Sequence, residues 1–480
     1  MKNGVQLITY PDSLGINLEE LSTALERYFP DLFTGIHLLP FYPSSADRGF
    51  APLGYDRVDP QFGDWNAVEG LAGRYDIVVD FMVNHISRHS PQFLDFLKRG
   101  EKSLWADLFL NVRKFHPSGE IPPDDLAKIY TRKPRAPLTK VVHPDGSEDT
   151  LWCTFSEEQI DLDIASPVGT AFLEDNLRSL CGHGISMLRL DAFAYVTKRL
   201  GTNCFFVEPD VWELLHRIQT IVAEYGVEIL PEIHEHYSIQ LKLANKGYRV
   251  YDFALPMLLL HTIFSGSSRR LKEWLKISPH NQITTLDTHD GIGVVDAADL
   301  LSSEEIEKTV DALYERGSNV NRRYSSEEYN NLDIYQINCT YYSATGEDDD
   351  AYILSRAIQF FAPGIPQVYY VGALSGRNDT DLIEQTKQGR DINRHPYGLD
   401  EIAVEIERPV NKRLFRLMRF RSHTPAFEGS FSLADSDDSR LSIVWTGNGG
   451  DQAILDVDLN ELRCEIRYRD ALGKEERWIC

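Results

Sequence analysis

The chain has 480 residues, enough for one large domain with appendages or for two to four smaller ones. Its 49 Lys and Arg against 73 Asp and Glu leave a formal charge of −24, which opposes nonspecific attraction to nucleic acid or anionic membranes, so an anionic substrate needs a local basic pocket. No apolar stretch approaches the ~18 residues that span a bilayer and the opening MKNGVQLITYPDS has no signal core, so the expectation is a cytoplasmic protein with no nucleic-acid or membrane partner.

In chain order, short β-branched runs alternate with segments of helical pattern. GVQLITYP (4–11) leads into NLEELSTALERYF, and GIHLLPF (35–41) and DIVVDFMVNH (76–85) follow. ISMLRLDA (185–192) is entered from SPVGTAFLEDNLRSLCGHG, a helix that closes on Gly182 and Gly184. VEILPEIH (227–234), RVYDFALP (249–256), QITTLDTHD (282–290) and GIPQVYYVG (364–372) complete eight runs, several of them apolar throughout, as strands covered on both faces are. Eight βα units predict a (β/α)8 TIM barrel of the α/β class.

The spacing is uneven. About a hundred residues separate the third and fourth runs and about seventy the seventh and eighth, too many for plain loops. The expected organisation is therefore a catalytic barrel from 1–85, 165–291 and 352–428, with an inserted domain B at 86–164, rich in Pro, Lys and Arg, and a second insertion, B′, at 292–351. Beyond 428 the pattern changes to short alternating runs, which predict a small antiparallel β domain at 429–480. The six cysteines show no CxxC and no short even spacing, and read as thiols in a reducing compartment rather than as disulfides or metal ligands.

Most of these runs end in ionisable groups, on the side where barrels place their chemistry. Asn84 and His85 follow the third, Arg189 and Asp191 close the fourth, Glu232 and His234 the fifth, and Asp287, His289 and Asp290 the seventh. Unpaired burial of Arg189 or Asp191 costs several kcal/mol, and side chains two apart on a strand share a face, so Arg189 is expected beside Asp191, keeping it ionised. Singly, each of these residues has a bland reading as a helix cap or a satisfied core group. Together they put like charges on one rim for no structural gain, which points to acid/base or nucleophilic chemistry on a neutral polar substrate. Glycoside chemistry fits, with one carboxylate attacking and another protonating the leaving oxygen. Metal binding is the competing use, weakened by the absence of HExxH and of a compact ligand set.

DFMVNH, LRLDAFAY, PEIHEHY and LDTHD resemble, in order, the four sequence regions of the α-amylase family of glycoside hydrolases. ITYPDSLG, ADRGFAPLGYD, YDFALP, LDIYQINCTYYSA, PGIPQVYYVGALSG and GRDINRH narrow the resemblance, over about residues 5–428, to its sucrose phosphorylase subfamily. The resemblance implies reversible phosphorolysis of sucrose to α-glucose 1-phosphate and fructose through a β-glucosyl enzyme, with sucrose, inorganic phosphate, glucose 1-phosphate and fructose as partners and with no cofactor. Calcium is common in the wider family, but no cluster of acidic residues accompanies Asn84 in the first insertion, so no required metal is expected.

It also implies roles for single residues. Asp191 is the nucleophile, Glu232 the acid and base, in surroundings that raise its pKa, and Asp290 the third carboxylate, which favours the distorted sugar. Asp47, His85, His289 and Arg394 hold the glucosyl hydroxyls, with Phe50 and Tyr195 as walls. Phe155, Gln159 and His234 face the acceptor, as do Asp333, Tyr335 and Gln336 of NNLDIYQIN. Phosphate falls to Arg394, to Tyr335 and to the basic run Arg132, Lys133 and Arg135, among which the resemblance makes no choice between Arg132 and Arg135. A relative that cleaves phosphorylated sucrose has histidine in place of Tyr335, so this tyrosine favours plain sucrose. Phosphorylases of sucrose 6′-phosphate, glucosylglycerol or glucosylglycerate, a retaining α-glucosidase, and a sugar-binding scaffold without activity remain the alternatives. A monomer and a homodimer fit the sequence equally.

Overall fold

A computed structural model of the chain describes residues 1–131, 135–315 and 336–480. All eight runs contain strands: β1 (Gln6–Thr9), β2 (Gly35–Leu38), β3 (Asp76–Met82), β4 (Met187–Asp191), β5 (Glu228–Pro231), β6 (Val250–Asp252), β7 (Gln282–Thr285) and β8 (Ile365–Tyr369). Apart from Asp76, Asp191 and Glu228, every residue in them is buried, which is why the runs are apolar on both faces rather than alternating. They form one parallel sheet in the order β6-β7-β8-β1-β2-β3-β4-β5, the (β/α)8 architecture expected.

Every strand stops short of the run that announces it, and three of the runs continue into another element or toward one. RVYDFALP leaves the sheet at Asp252, whose carboxylate accepts from the Leu255 amide at 3.1 Å and opens a buried helix. GIPQVYYVG turns into a short helix, Tyr370–Ala373, directly after Tyr369. His85 is the first residue of a separate strand, His85–Ser87, paired antiparallel with Gln159–Asp161, whereas β3 ends at Met82. A continuous apolar run reports burial, and burial alone does not tell strand from helix.

The helices begin and end for local reasons. α1 is Leu18–Tyr28. α2 is Pro167–Cys181: the Ser166 hydroxyl accepts from the Gly169 amide at 2.9 Å and Pro167 occupies the first turn, where its missing N–H costs nothing. At its end Gly182 keeps helical angles, and the left-handed turn falls at Gly184, with φ of 73°. α3 (Leu255–Ser265), α4 (Ser303–Glu315), α5 (Asp349–Phe361) and α6 (Pro409–His423) follow, α4 on the polar helical pattern of the second insertion.

By internal contacts the chain divides into two units, one of Met1, Asn17–Glu19 and Leu38–Ile233 and the other of Lys2–Ile16, Glu20–His37 and His234–Cys480. The first holds β3, β4 and β5, the ribbon of Leu138–Val142 with Glu148–Trp152, and a small apolar core around Leu110, Val112, Ile121 and Trp152. The second holds β1, β6, β7 and β8 and an antiparallel meander, β9 (Ser430–Ala434), β10 (Arg440–Thr446), β11 (Gln452–Asp458), β12 (Arg463–Arg469) and β13 (Glu475–Ile479). β10 and β11 alternate buried with less buried residues, the signature of a sheet with one face on the core. The Trp445 indole N–H closes that face by donating to the Phe361 carbonyl at 2.8 Å.

Candidate active site

In the first unit the chemistry follows from strand register. Asp80 of β3 stands opposite Arg189 of β4, and Met82 opposite Asp191, while Leu190 pairs with Pro231 of β5, so Glu232 emerges one residue further on. Arg189 Nη1 donates to Asp80 at 2.5 Å and to Asp191 at 2.9 Å, and Nη2 lies 3.5 Å from Glu232 Oε1. Directly after Asp191 the backbone enters the left-handed region at Ala192, with φ of 53°, a conformation that costs a residue with a Cβ about 1 kcal/mol. That turn aims the Ala192 amide at Glu232 Oε2, 2.9 Å away. Both oxygens of Glu232 therefore face a donor, one from a backbone kink and one from the arginine.

The structure alters the expected electrostatics of Asp191. Burial pushes its carboxyl well above the usual range; Arg189 pulls it down, and Glu232 and Asp80 push it up again. Arg189 alone does not hold Asp191 anionic, because its single charge is divided among three carboxylates. The cluster carries two net negative charges in a desolvated place, a balance relieved by one proton. Asp80 is the residue that sequence reasoning missed, although its signal was present: a charged residue inside the apolar run DIVVDFM, the anomaly that Arg189 presents in LRLD.

Beside this cluster stands an aromatic and imidazole wall. The Arg189 guanidinium lies 5.9 Å from the Phe50 ring centroid. The Phe50 carbonyl accepts from His85 Nε2 at 2.9 Å and from Gln159 Nε2 at 3.0 Å. Burial holds His85 below its ordinary pKa, so the imidazole is neutral, and with Nε2 donating, Nδ1 is left as a buried acceptor without a protein partner. Phe155 meets His85 edge-on at 5.4 Å and Tyr195 at 5.1 Å. Phe50, His85, Phe155, Gln159 and Tyr195 are thus brought together, and Asp47 stands exposed on a turn with φ of 52°.

Asn84 has a partner that the sequence did not announce. Lys198 Nζ donates to Asn84 Oδ1 at 2.9 Å and to the Tyr195 carbonyl, and pairs with Asp161 at 2.8 Å. The side chains of Lys198 and Asp161 are 1% and 0% exposed, so an ammonium fills this oxygen-lined position. Nearby in the chain, Arg135 Nη1 reaches the Cys153 sulfur at 3.8 Å, and its Nη2 is buried without a hydrogen-bond partner. Arg132 and Lys133 lie outside the described residues.

The second unit carries the remaining expected groups. Asp290 pairs with Arg390 at 3.0 Å and lies 3.8 Å from His289 Nε2. The Asn393 amide donates to the Thr288 and Asp290 carbonyls at 3.2 and 3.0 Å, fixing the loop that bears them. Arg394, expected on glucose and on phosphate, gives Nε and Nη2 to the His289 carbonyl at 3.2 and 2.9 Å, with its guanidinium over the Tyr10 ring. Arg390, four residues earlier in the same GRDINRH segment, supplies the ion pair to Asp290 that the sequence reading assigned to no residue. His234 stacks on Phe253 at 3.8 Å with Nδ1 3.5 Å from Asp296, and Gln336 accepts from the Gly291 amide at 3.3 Å. Asp333 and Tyr335 lie outside the described residues. Asp287, the other carboxylate of LDTHD, is locked to the fully buried Arg356 at 2.5 Å and belongs to the scaffold.

Comparison with known proteins agrees with this chemistry. Residues 26–249 match the family model for the α-amylase catalytic domain. The chain is 51% identical over 471 residues to a sucrose phosphorylase of Streptococcus mutans, covering 98% of each chain. It is 45% identical to a glucosylglycerol phosphorylase of Marinobacter adhaerens, covering 100% of this chain and 99% of the other. Among solved structures, a sucrose 6F-phosphate phosphorylase from Thermoanaerobacter thermosaccharolyticum superposes with a TM-score of 0.95 at 43% identity, covering 100% of this chain and 99% of its own.

Proposed function

Because this chain belongs to the α-amylase family and its full-length relatives include phosphorylases, we propose that it transfers the glucosyl group of sucrose reversibly to inorganic phosphate, giving α-D-glucose 1-phosphate and D-fructose. The observation that carries this reading is the Arg189 cluster, in which one buried guanidinium holds Asp191 and Glu232 at the ends of neighbouring strands.

The chemistry runs in two displacements. Asp191 attacks the anomeric carbon from the side opposite the fructosyl oxygen. Glu232 gives its proton to that oxygen as the C–O bond breaks, so fructose leaves neutral and the glucose remains as a β-glucosyl ester of Asp191. Phosphate then attacks the anomeric carbon from the vacated side while Glu232 takes a proton from it, the ester bond breaks, and Asp191 is released as a carboxylate. Two inversions give retention of the α-configuration. In this reading Asp290, oriented by Arg390, steadies the electron-poor sugar at each transition state, neutral His85 hydrogen-bonds a hydroxyl without adding charge, and Arg135 brings its unused Nη2 to the phosphate. No cofactor takes part, and the enzyme works in the cytoplasm, where inorganic phosphate is plentiful.

Sucrose is preferred to its 6′-phosphate on the ground that position 335, a histidine in the relative that cleaves phosphorylated sucrose, is a tyrosine here. The deciding experiment is the product balance from sucrose with and without inorganic phosphate. Glucose 1-phosphate equimolar with fructose, and little free glucose, is the expected result. Free glucose irrespective of phosphate makes the protein a hydrolase, and turnover confined to sucrose 6′-phosphate or glucosylglycerol moves it to one of the sister activities. Exchanging Tyr335 for His shifts preference toward sucrose phosphate; an unchanged preference overturns the role given to that position.

A further inference from the structure

We propose that Cys464 and Cys480 form a site of reversible oxidation, and that their disulfide latches the outer strand β13 of the C-terminal meander to β12. The pairing of β12 with β13 sets Glu465 opposite Ile479 and Arg469 opposite Glu475, so the next pair is Cys464 opposite Cys480. The Cys480 amide donates to the Cys464 carbonyl at 3.0 Å, which extends the ladder through that pair. Opposed residues in an antiparallel ladder have Cα atoms ~4.5–5.5 Å apart, inside the span that a disulfide bridges. Both side chains are buried and both are free thiols. Among the described residues no other two cysteines occupy opposed strand positions: Cys181 is helical, and Cys153, Cys204 and Cys339 lie outside the strands.

The strand that this pair would close is held lightly. Glu475, Glu476, Arg477 and Ile479 are exposed, and β13 has a hydrogen-bonded partner on one side alone. Its attachments to the helices beneath are the Trp478 ring against Phe420 at 4.8 Å, the Arg416 guanidinium over Trp478 at 4.6 Å, and the Cys480 carbonyl, which accepts from Arg413 of α6 at 2.8 Å. Arg413 is in turn paired with Asp350 of α5 at 2.7 Å. An edge strand so attached opens locally far more often than the whole unit unfolds, and each opening exposes Cys480 to solvent.

With a low-molecular-weight disulfide such as oxidised glutathione as the oxidant, the step balances. The Cys480 thiolate attacks one sulfur and expels a glutathione thiolate, forming a mixed disulfide. The Cys464 thiolate then attacks the Cys480 sulfur and expels the second glutathione. Two protein thiols become one disulfide, the oxidant is reduced to two glutathione molecules, and the two thiol protons pass to them. Burial and the neighbouring thiol push Cys464 well above the ordinary thiol range, so it reacts second, when Cys480 already carries the leaving group beside it.

The test treats the purified, folded protein with oxidised glutathione and follows the intact mass, a peptide map, and the rate at which a carboxypeptidase removes the β13 segment. The expected product has lost two hydrogens, carries a peptide linking Cys464 to Cys480, and releases the segment roughly tenfold or more slowly than the reduced protein, since the bridge holds the opened strand in place. Dithiothreitol restores the original rate. Cys464→Ser and Cys480→Ala, made separately, each abolish the linked peptide and the protection. Stable glutathione adducts without an internal link, or a linked protein digested as fast as the reduced one, overturn the proposal.

Discussion

Two buried arginines, one in each unit, meet carboxylates in opposite proportions. Arg356 faces one: Nη2 pairs with Asp287 at 2.5 Å, while Tyr352 and Gln359 take its remaining donors at 2.9 to 3.0 Å. Its charge is matched, each of its three nitrogens donates, and its side chain is 0% exposed. Arg189 faces three, Asp80, Asp191 and Glu232, with its charge oversubscribed. A matched buried pair is scaffolding, whereas an oversubscribed cation leaves negative charge uncompensated in a desolvated place, the setting that the proposed chemistry uses. Both clusters centre on a buried arginine paired with an aspartate; the stoichiometry of charge separates them. Even the packing differs, since a Cβ at Gly372 would lie 2.0 Å from Asp287 and 2.2 Å from Arg356, leaving the scaffold cluster no room.

The largest effect with which to break this comparison is Asp191→Asn. Turnover of sucrose falls by about 10⁴-fold or more, as expected for loss of a nucleophile, while the thermal midpoint stays level or rises because one repelling charge has gone. Near-normal turnover, or a large loss of stability, would place Arg189 in the same class as Arg356. Glu232→Gln slows sucrose cleavage by roughly 10²–10⁴-fold and spares glucosyl fluoride, whose leaving group needs no proton; equal losses on the two donors would sink the acid role. Arg356→Met leaves Asp287 buried and unpaired and costs about 3–5 kcal/mol in denaturant unfolding, with little effect on the activity of the fraction that remains folded.

The smallest expected effect concerns Asp252, a buried carboxylate that forms no ion pair among the described residues. It accepts from the Leu255 amide and from Trp274 Nε1, yet burial raises its pKa to about 6. Its folded value lies above the unfolded one, so the folded state binds the proton more tightly. Stability from this group is complete below the unfolded pKa and is lost as pH rises through about 6, at a cost of roughly 3 kcal/mol at most. Unfolding measured at pH values across that window shows the decline, and Asp252→Asn removes the slope. A stability that rises over the same window for this group would reverse the assignment.

Much of this was legible in the chain. The eight apolar runs and the charged residues that interrupt or close them identify the barrel strands and the candidate groups, because a buried strand cannot carry an ionisable residue without a partner or a task. The same logic extends to Asp80, since DIVVDFM breaks the apolar pattern as plainly as LRLD does. The end of α2 at Gly182 and Gly184 was legible too, being local in sequence.

The partners were not legible, and the reason is physical. Arg189 meets Asp80 across 109 positions, Asp287 meets Arg356 across 69 and Lys198 meets Asn84 across 114, contacts set by strand register and loop path rather than by spacing along the chain. Composition and periodicity therefore determined the fold class, which runs hold strands and most of the candidate ionisable groups. Tertiary structure decided how many carboxylates share each buried cation, because charge balance in a desolvated site depends on every group within a few ångströms, however far away in sequence.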